Sequence, residues 1–220
     1  MKTRISVGVL GIQGDIEENK TVAQEALNHS SVKGSVTFVR YVEEIEKIDG
    51  IILPGGESTV ISTLASIQGG ILHTIRRRIA EGMPVLGTCA GMIMLAKRAY
   101  DRVVGETKQQ LLSNLDIVVE RNAFGRQEDS FEAELSIPIL DKNNNSFRGV
   151  FIRAPIVTEV GVAVDIIAKF NNRIVGVRQG NVIGTSFHPE LSGDDRIHRQ
   201  FIKTVLDYKR KIGAQQNQAT

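Results

Sequence analysis

The segment PVLGTCAG, residues 84–91, is the most informative part of this sequence. Its apolar first half indicates a buried strand, and the following residues, MIMLAKRAY at 92–100, predict a helix with one apolar face. The glycines at 87 and 91 permit a sharp turn, because a side chain at either position would collide with the neighbouring strand or helix. The stretch therefore predicts a strand, a tight elbow and a helix, with Cys89 at the tip of the elbow.

Strands and helices alternate on the N-terminal side of this elbow. Strands are predicted at residues 4–10, 35–40 and 50–56, and helices at 16–28, 41–48 and 58–81, the last of them broken near 68–70. Such alternation implies parallel strands joined by right-handed crossovers. We therefore predict an α/β fold, a three-layer sandwich with a mostly parallel central sheet. Ligands of such sheets bind beyond the carboxyl ends of the strands, where Gln13, residues 55–57 and Cys89 fall.

The C-terminal half has a different pattern. Short β-rich segments at 115–119, 131–137, 148–152, 164–170, 173–179 and 181–187 are predicted to complete the main sheet and to add antiparallel strands, with turns at 141–145 and 171–172. A terminal helix is predicted at 194–212, with Ile197, Phe201, Val205 and Tyr208 on one stripe. Residues 213–220 are a polar segment that we expect to fray. No linker composition interrupts the chain, so one domain is predicted over 1–212.

Composition excludes several functional classes. The formal net charge of +2 over 220 residues is too small to indicate a nucleic-acid partner. No apolar run approaches the roughly 20 residues that a membrane helix needs. The single cysteine excludes an internal disulfide and fits a reducing compartment. We therefore expect a cytoplasmic protein that binds neither nucleic acid nor membrane.

Cys89 is the candidate nucleophile. It precedes a predicted helix, whose N-terminus carries partial positive charge and unpaired N–H groups that favour a thiolate. The N–H group of Ala90, the next residue, can point at a developing oxyanion. The alternative is that Cys89 is a small buried hydrophobe, as lone cysteines usually are. The elbow favours the nucleophile, because it exposes its central side chain.

His188 and Glu190 are the candidate base and its partner. They lie in TSFHPE, residues 185–190, where an extended backbone would point both side chains to one side, and Pro189 would stiffen that geometry. A carboxylate beside an imidazole sets its tautomer and stabilises the imidazolium. The alternative is a solvated strand end. The other histidines, at 29, 73 and 198, are assigned no role.

The segment LPGGEST, residues 53–59, is the candidate oxyanion loop. Its two glycines permit a backbone that turns N–H groups into the site, although a plain turn with helix-capping hydroxyls at Ser58 and Thr59 is the alternative. An amino-acid substrate also needs a partner for its carboxylate. Arg121 and Arg153 are the candidates, because guanidinium binds carboxylate with two hydrogen bonds; surface ion pairs are the alternative.

Several motifs together resemble a known family. GTCAG at 87–91, HPE at 188–190 and PGG at 54–56 resemble the class I, or triad, glutamine amidotransferases. The resemblance narrows with GVLGIQG (8–14), LPGGEST (53–59), VERNAFGRQ (119–127), FIRAP (151–155) and SFHPE (186–190), which are similar to the glutaminase subunits of pyridoxal 5'-phosphate synthases. It runs from about residue 4 to about residue 210, and the segments at 119–127 and 151–155 are its most specific parts.

The resemblance implies a flavodoxin-like class I glutamine amidotransferase fold and a set of site residues. Cys89, His188 and Glu190 would form the catalytic triad, and the N–H groups of Gly56 and Ala90 the oxyanion hole. Glutamine would be bound by Gly56, Glu57, Ser58, Arg121, Ile152 and Arg153. Gln13 would lie near the oxyanion site and the partner interface. Neither a cofactor nor a metal is implied.

The resemblance also implies a partner. The ammonia released from L-glutamine would pass to a (β/α)8 synthase that makes pyridoxal 5'-phosphate from ribose 5-phosphate and glyceraldehyde 3-phosphate, in a complex of twelve synthases and twelve glutaminases. Three rivals stay open. A glutaminase could serve imidazole, purine or guanine-nucleotide synthesis, against which residues 124–127 argue. A cysteine peptidase or γ-glutamyl hydrolase would act without a partner. A non-catalytic binding module would have no need of an intact triad.

Overall fold

A computed structural model describes residues 3–67, 69–124, 130–140 and 145–218 of the chain. Residues 125–127 of the specific motif and residues 141–144 of the predicted turn lie outside these ranges. Within them the helices are α1 (Ile16–His29), α2 (Val42–Ile45), α3 (Ser58–Ile67), α4 (Ile71–Ala80), α5 (Ala90–Leu95) and α6 (Arg196–Gln218). The strands are β1 (Arg4–Leu10), β2 (Lys33–Val39), β3 (Gly50–Leu53), β4 (Val85–Thr88), β5 (Ala96–Asp101), β6 (Gly105–Glu106), β7 (Leu115–Arg121), β8 (Ser130–Leu135), β9 (Phe147–Ile152), β10 (Ile156–Val160), β11 (Asp165–Phe170), β12 (Arg173–Gln179) and β13 (Val182–Thr185).

The main sheet begins with five parallel strands in the order β2-β1-β3-β4-β13. It continues through β12, β10, β7, β5 and β6, and β11 pairs with β12. Strand β12 runs antiparallel to β13, and β10 runs antiparallel to both β12 and β7. Strands β8 and β9 form a separate antiparallel pair. The predicted parallel core with added antiparallel strands is confirmed.

Helices cover both faces of this sheet, which confirms the three-layer prediction. On one face, α1 contributes Ala23, Ala26 and Leu27 to an apolar core. Helix α6 adds Ile197, Phe201 and Val205 to the same core, so the predicted stripe is buried, with Tyr208 only partly so. Helices α3, α4 and α5 pack their apolar side chains into a second core on the opposite face. The carboxyl ends of the parallel strands are left uncovered, as a ligand site requires.

The helix predicted at 92–100 is wrong in its second half. Helix α5 ends at Leu95, and Ala96 is extended, with φ −62° and ψ 154°. Residues 96–101 form β5, which pairs in parallel with β7. The buried residues Ala96 and Ala99 are three apart, which is the spacing of a helix face. Pairing with a strand about twenty residues later overrides this local pattern. Strand β10 was not predicted. It is only five residues long and directly follows Pro155, so its sequence carries little periodic signal.

Helix α6 runs through Gln218 and so passes residue 212, where the sequence predicted its end. Composition favours this extension, because the alanine and glutamines at 214, 215, 216 and 218 are good helix formers and outnumber Gly213 and Asn217, which disfavour the helix. The helix therefore includes residues 213–218, while their fraying and a single domain over 1–212 stay predictions. Among the described residues, no helix combines the length and apolar character needed to cross a membrane.

Candidate active site

A cavity of about 310 Å³ lies at the carboxyl ends of the parallel strands. Its lining includes nine residues predicted from the sequence: Gln13, Gly56, Glu57, Ser58, Cys89, Arg121, Ile152, Arg153 and His188. Asp15, Ile93 and Asn122, which were not predicted, line it as well. The expected convergence of the cysteine and the late histidine on one edge of the sheet is confirmed.

The elbow holds Cys89 in a strained conformation. Its φ of 47° and ψ of −103° are unusual for a residue with a side chain and cost on the order of 1–3 kcal/mol. The backbone N–H of Cys89 donates to Thr185 O on β13 at 2.7 Å, which fixes the turn. A Cβ atom on Gly91 would lie 2.0 Å from Leu53 O, and one on Gly87 would lie 2.6 Å from Leu95 Cδ1. The predicted need for glycine at both positions is confirmed.

His188 contacts Glu190 as predicted, but on a different backbone. Nδ1 of His188 lies 2.9 Å from Oε1 of Glu190. Residues Pro189–Leu191 form a short 3-10 turn, so the extended geometry predicted for this segment is wrong. The backbone N–H of His188 donates to Val150 O at 2.8 Å, which anchors the segment to β9. Both side chains are buried, so the alternative of a solvated strand end is excluded.

Asp15 is a second carboxylate at the same ring nitrogen, and the sequence reasoning missed it. Its Oδ2 lies 3.0 Å from Nδ1 of His188. Asp15 ends the β1–α1 loop, residues 11–15, which leaves the carboxyl end of the parallel strand β1. That position was the available signal, because Gln13 in the same loop was assigned to the site on this ground.

The environment of His188 favours its imidazolium form. Burial alone lowers the pKa of His188, but hydrogen bonding with Asp15, Cys89 and Glu190 outweighs it and raises the pKa to about 12. The ring therefore carries a positive charge at neutral pH. A cation beside a thiol favours the thiolate, the nucleophilic form of cysteine. Cys89, whose Sγ also lies 3.9 Å from Ile152 O, thus faces a charged imidazole.

Asp15, His188 and Glu190 are also the kind of cluster that can hold a metal ion. Their possible ligand atoms lie within 4.8 Å of one another. However, both carboxylates approach the same nitrogen, Nδ1, at hydrogen-bond distances. A metal on that nitrogen would sit about 2.0–2.1 Å from it and displace both contacts. Hydrogen bonding to the imidazolium accounts for the cluster without a metal.

The β1–α1 loop and the candidate oxyanion loop, residues 53–59, hold each other in place. The N–H of Glu57 donates to Oε1 of Gln13 at 2.9 Å, and the N–H of Asp15 donates to Gly55 O at 3.2 Å. Gly56 has φ +143°, a conformation that essentially only glycine adopts. The backbone that precedes α3 is therefore shaped by contacts with the loop that carries Gln13 and Asp15.

Glu57, not Ser58 or Thr59, caps α3. The Glu57 carboxylate accepts the N–H groups of Thr59 at 3.3 Å and Val60 at 2.8 Å. The hydroxyls of Ser58 and Thr59 instead donate to Oε1 of Gln109 at 3.1 and 3.2 Å. The capping alternative weighed for these two hydroxyls is therefore wrong, because a carboxylate one residue earlier occupies the helix N-terminus.

The two predicted arginines differ in their surroundings. Arg121 pairs with Glu57 through Nη2 and Oε1 at 2.8 Å and donates from Nη1 to Thr59 Oγ1 at 3.1 Å. Arg153 is exposed and has φ 43°, and Asn122, which also lines the cavity, has φ 51°. Such backbone strain tends to gather at functional sites. Asparagine adopts positive φ more readily than most residues. An asparagine directly after a predicted strand and beside Arg121 was therefore the signal for Asn122.

Fold and site together define an α/β protein with a cysteine, a histidine and two carboxylates at the carboxyl edge of its sheet. The model of the SNO glutamine amidotransferase family matches residues 9–207. A protein of Nitrosopumilus maritimus named pyridoxal 5'-phosphate synthase subunit PdxT is 44% identical, covering 92% of this chain and 98% of that protein. One of Pyrococcus furiosus with the same name is 46% identical, covering 92% of this chain and 100% of that protein.

A solved structure described as a glutamine amidotransferase has a TM-score of 0.77 and 44% identity, covering 90% of this chain and 98% of that one. The chain belongs to the SNO glutamine amidotransferase family. The class I glutamine amidotransferase fold that the sequence resemblance implied is thereby confirmed.

Proposed function

We propose that this chain is the glutaminase subunit of a pyridoxal 5'-phosphate synthase. It hydrolyses L-glutamine to L-glutamate and ammonia, and a partner synthase uses the ammonia. The observation that carries the proposal is the cavity in which Cys89 faces His188 with two carboxylates behind the ring. The names of the relatives, which are synthase subunits, support the choice of partner over the other nitrogen-transfer pathways.

Acylation starts from the thiolate of Cys89 and the imidazolium of His188. The thiolate attacks the side-chain amide carbon of glutamine, and the N–H groups of Gly56 and Ala90 hold the oxyanion that forms. The tetrahedral intermediate collapses as the C–N bond breaks, and the His188 proton passes to the departing nitrogen. Ammonia leaves, and a γ-glutamyl thioester remains on Cys89.

Hydrolysis of the thioester uses the same histidine in the reverse sense. His188 is now neutral and accepts a proton from water as the water oxygen attacks the thioester carbonyl. Collapse of this second intermediate releases glutamate and returns the thiolate and the imidazolium. The chemistry uses side chains and backbone N–H groups alone, so neither a cofactor nor a metal is proposed.

Glutamine is a zwitterion at its α-carbon, and the Arg121–Glu57 pair is complementary to it. We assign the α-carboxylate to Arg121, with Arg153 as a second cation at the cavity wall, and the α-ammonium to Glu57. The substrate thus binds alongside two groups of opposite charge that contact each other at 2.8 Å. Ser58 and Ile152 complete the lining on either side.

Arg121→Gln is expected to raise KM for glutamine about tenfold or more, with a much smaller effect on kcat. The variant removes a charge-assisted hydrogen bond worth about 1.5–3 kcal/mol. That bond holds the α-carboxylate of glutamine, which is remote from the reacting amide. Steady-state glutaminase kinetics measure both constants. The matched control is Arg98→Gln, which removes an exposed arginine paired with Glu159 on the same sheet. A fall in kcat with unchanged KM would assign Arg121 a different role.

We propose that the partner docks beside the oxyanion loop, over Gln13 and the outer face of α3. Val60, Leu64 and Ile67 lie on one face of that helix and are 41%, 38% and 75% exposed. Exposed apolar side chains grouped next to a site mark a surface that another protein covers. The partner is proposed to be a (β/α)8 synthase in a complex of twelve subunits of each kind, in the cytoplasm, where a lone cysteine stays reduced.

Adding the pyridoxal 5'-phosphate synthase partner is expected to increase glutamate production by this chain, because docking completes and seals the site against water. Ammonia and glutamate are measured with and without the partner. Leu64→Glu is expected to abolish the increase while the activity of the free chain is retained, and Val162→Glu, a fully exposed valine elsewhere, is the control. Equal activity with and without the partner would favour a γ-glutamyl hydrolase or peptidase instead.

A further inference from the structure

The ring nitrogen Nδ1 of His188 contacts two carboxylates, and a triad accounts for only one of them. Oε1 of Glu190 lies at 2.9 Å and Oδ2 of Asp15 at 3.0 Å. One N–H group therefore faces two acceptors at nearly equal distances. The two carboxylates are not equivalent, because the Glu190 side chain is fully buried and the Asp15 side chain is 35% exposed.

The backbone of Asp15 is held from two directions. Its N–H donates to Gly55 O in the oxyanion loop, and its carbonyl oxygen accepts Nδ2 of the buried Asn19 at 2.8 Å. Oδ1 of Asn19 in turn lies 3.4 Å from Nε2 of His198, which is also buried, on α6. Burial lowers the pKa of His198 to about 4, so this ring is neutral at physiological pH. Asp15 is thus anchored through Asn19 to the C-terminal helix.

Gly55 leaves the space in which Asp15 meets His188. A Cβ atom on Gly55 would lie 2.3 Å from Cε1 of His188 and 2.7 Å from Oδ2 of Asp15. The contact between the carboxylate and the ring is therefore built into three separate segments: the β1–α1 loop, the oxyanion loop and the turn that carries His188. An incidental surface contact would not be held by backbone hydrogen bonds and by the space that a glycine leaves.

We propose that Asp15 is a positioning residue for His188, a second carboxylate that orients the ring and stabilises its imidazolium form together with Glu190. The proposal rests on the role of His188 as the base given above. In acylation, Asp15 helps to keep the proton on the ring until it passes to the departing nitrogen. In thioester hydrolysis, it stabilises the imidazolium that forms when water is deprotonated.

The ionisable groups that face the His188 ring come from three segments: Asp15 from the β1–α1 loop, Cys89 from the elbow, and Glu190 from the 3-10 turn. Strand β9 contributes only its backbone, through Val150 O. Replacing Asp15 with a neutral residue removes one negative charge from Nδ1. The pKa of His188 then falls. Any change in NMR shift or in rate that follows the titration of this ring therefore moves to lower pH.

The test compares Asp15→Asn with the matched control Glu17→Gln, an exposed residue two positions further on. Titration of the His188 ring is followed by ¹⁵N NMR of the histidine-labelled protein in a Cys89→Ala background, which removes the thiolate and reproduces the charge of the acyl-enzyme. His188→Gln assigns the resonance among the four histidines. Asp15→Asn is expected to lower the titration midpoint by about one pH unit, and Glu17→Gln to leave it in place.

With Cys89 present, the pH–rate profile of glutamine hydrolysis is expected to move to lower pH in Asp15→Asn by a similar amount. Asp15→Glu keeps the charge and is expected to hold the profile near that of the unmodified chain. An unchanged NMR midpoint in Asp15→Asn, or a rate that falls uniformly with no movement of the profile, would overturn the proposal. Because the NMR titration needs no catalysis, failure of the glutaminase assignment would be recognised separately.

Discussion

Cys89→Ala is expected to lower the rate of glutamine hydrolysis by at least about 10⁴-fold, since loss of a nucleophile in a comparable constellation leaves only binding and the oxyanion hole. Glutamate release, with and without the partner synthase, measures the loss. The fold should be retained, because alanine keeps the buried Cβ and removes only two contacts of Sγ, one with the His188 ring and one at 3.9 Å with Ile152 O. Unchanged thermal unfolding is therefore part of the expected result.

Thr88→Val is the matched control for this variant. It removes a hydroxyl from the neighbouring elbow residue while keeping the shape of the side chain, and Oγ1 of Thr88 has no hydrogen-bond partner among the described residues. Its glutaminase activity should stay within a few-fold of the unmodified chain. Mass spectrometry after incubation with glutamine should find a γ-glutamyl adduct on Cys89 in the control and none in Cys89→Ala. Substantial hydrolysis by Cys89→Ala would remove Cys89 as the nucleophile.

Gly91→Ala is expected to destabilise the fold by about 3 kcal/mol or more, at or above the usual range for an overpacked interior. The new Cβ would lie 2.0 Å from the carbonyl oxygen of Leu53, a backbone atom of β3 that pairs with β4 and cannot move alone. At roughly 2–4 °C per kcal/mol for a chain of this size, Tm should fall by about 6–12 °C. Circular dichroism or calorimetry measures the shift.

Gly213→Ala provides the same substitution without the clash. No heavy atom lies within 4 Å of the added Cβ among the described residues, and Gly213 lies inside α6. Alanine in place of glycine in a helix should raise stability by about 0.5–1 kcal/mol. If both variants unfolded at the same temperature, the elbow would have enough space to accept a side chain at 91, and the steric argument for glycine there would fail.

Much of the fold follows from local patterns that the structure confirms. Buried strands alternating with amphipathic helices predicted parallel pairing, because a βαβ unit has few alternative arrangements, and the structure supplies the strand order β2-β1-β3-β4-β13. The elbow was predictable from its own sequence, because a sharp strand-to-helix turn needs glycine on both sides of the nucleophile, although the closest contact that demands Gly91 is with Leu53 O on β3. The errors lie where local preference is weak: Ala96–Asp101 suits a helix by sequence and became β5 through pairing with β7.

The residues that carry the chemistry are recognisable from their own neighbours along the chain: one thiol, a His-Pro-Glu segment, a Gly-Gly loop and two arginines. How these groups pair depends on their arrangement in the folded protein. The tertiary structure placed Asp15 on the ring of His188 and paired Arg121 with Glu57. The physical reason is distance along the chain. A contact between residues far apart in sequence leaves no periodic trace near either one, and it forms only when packing of the sheet brings the two segments to the same edge.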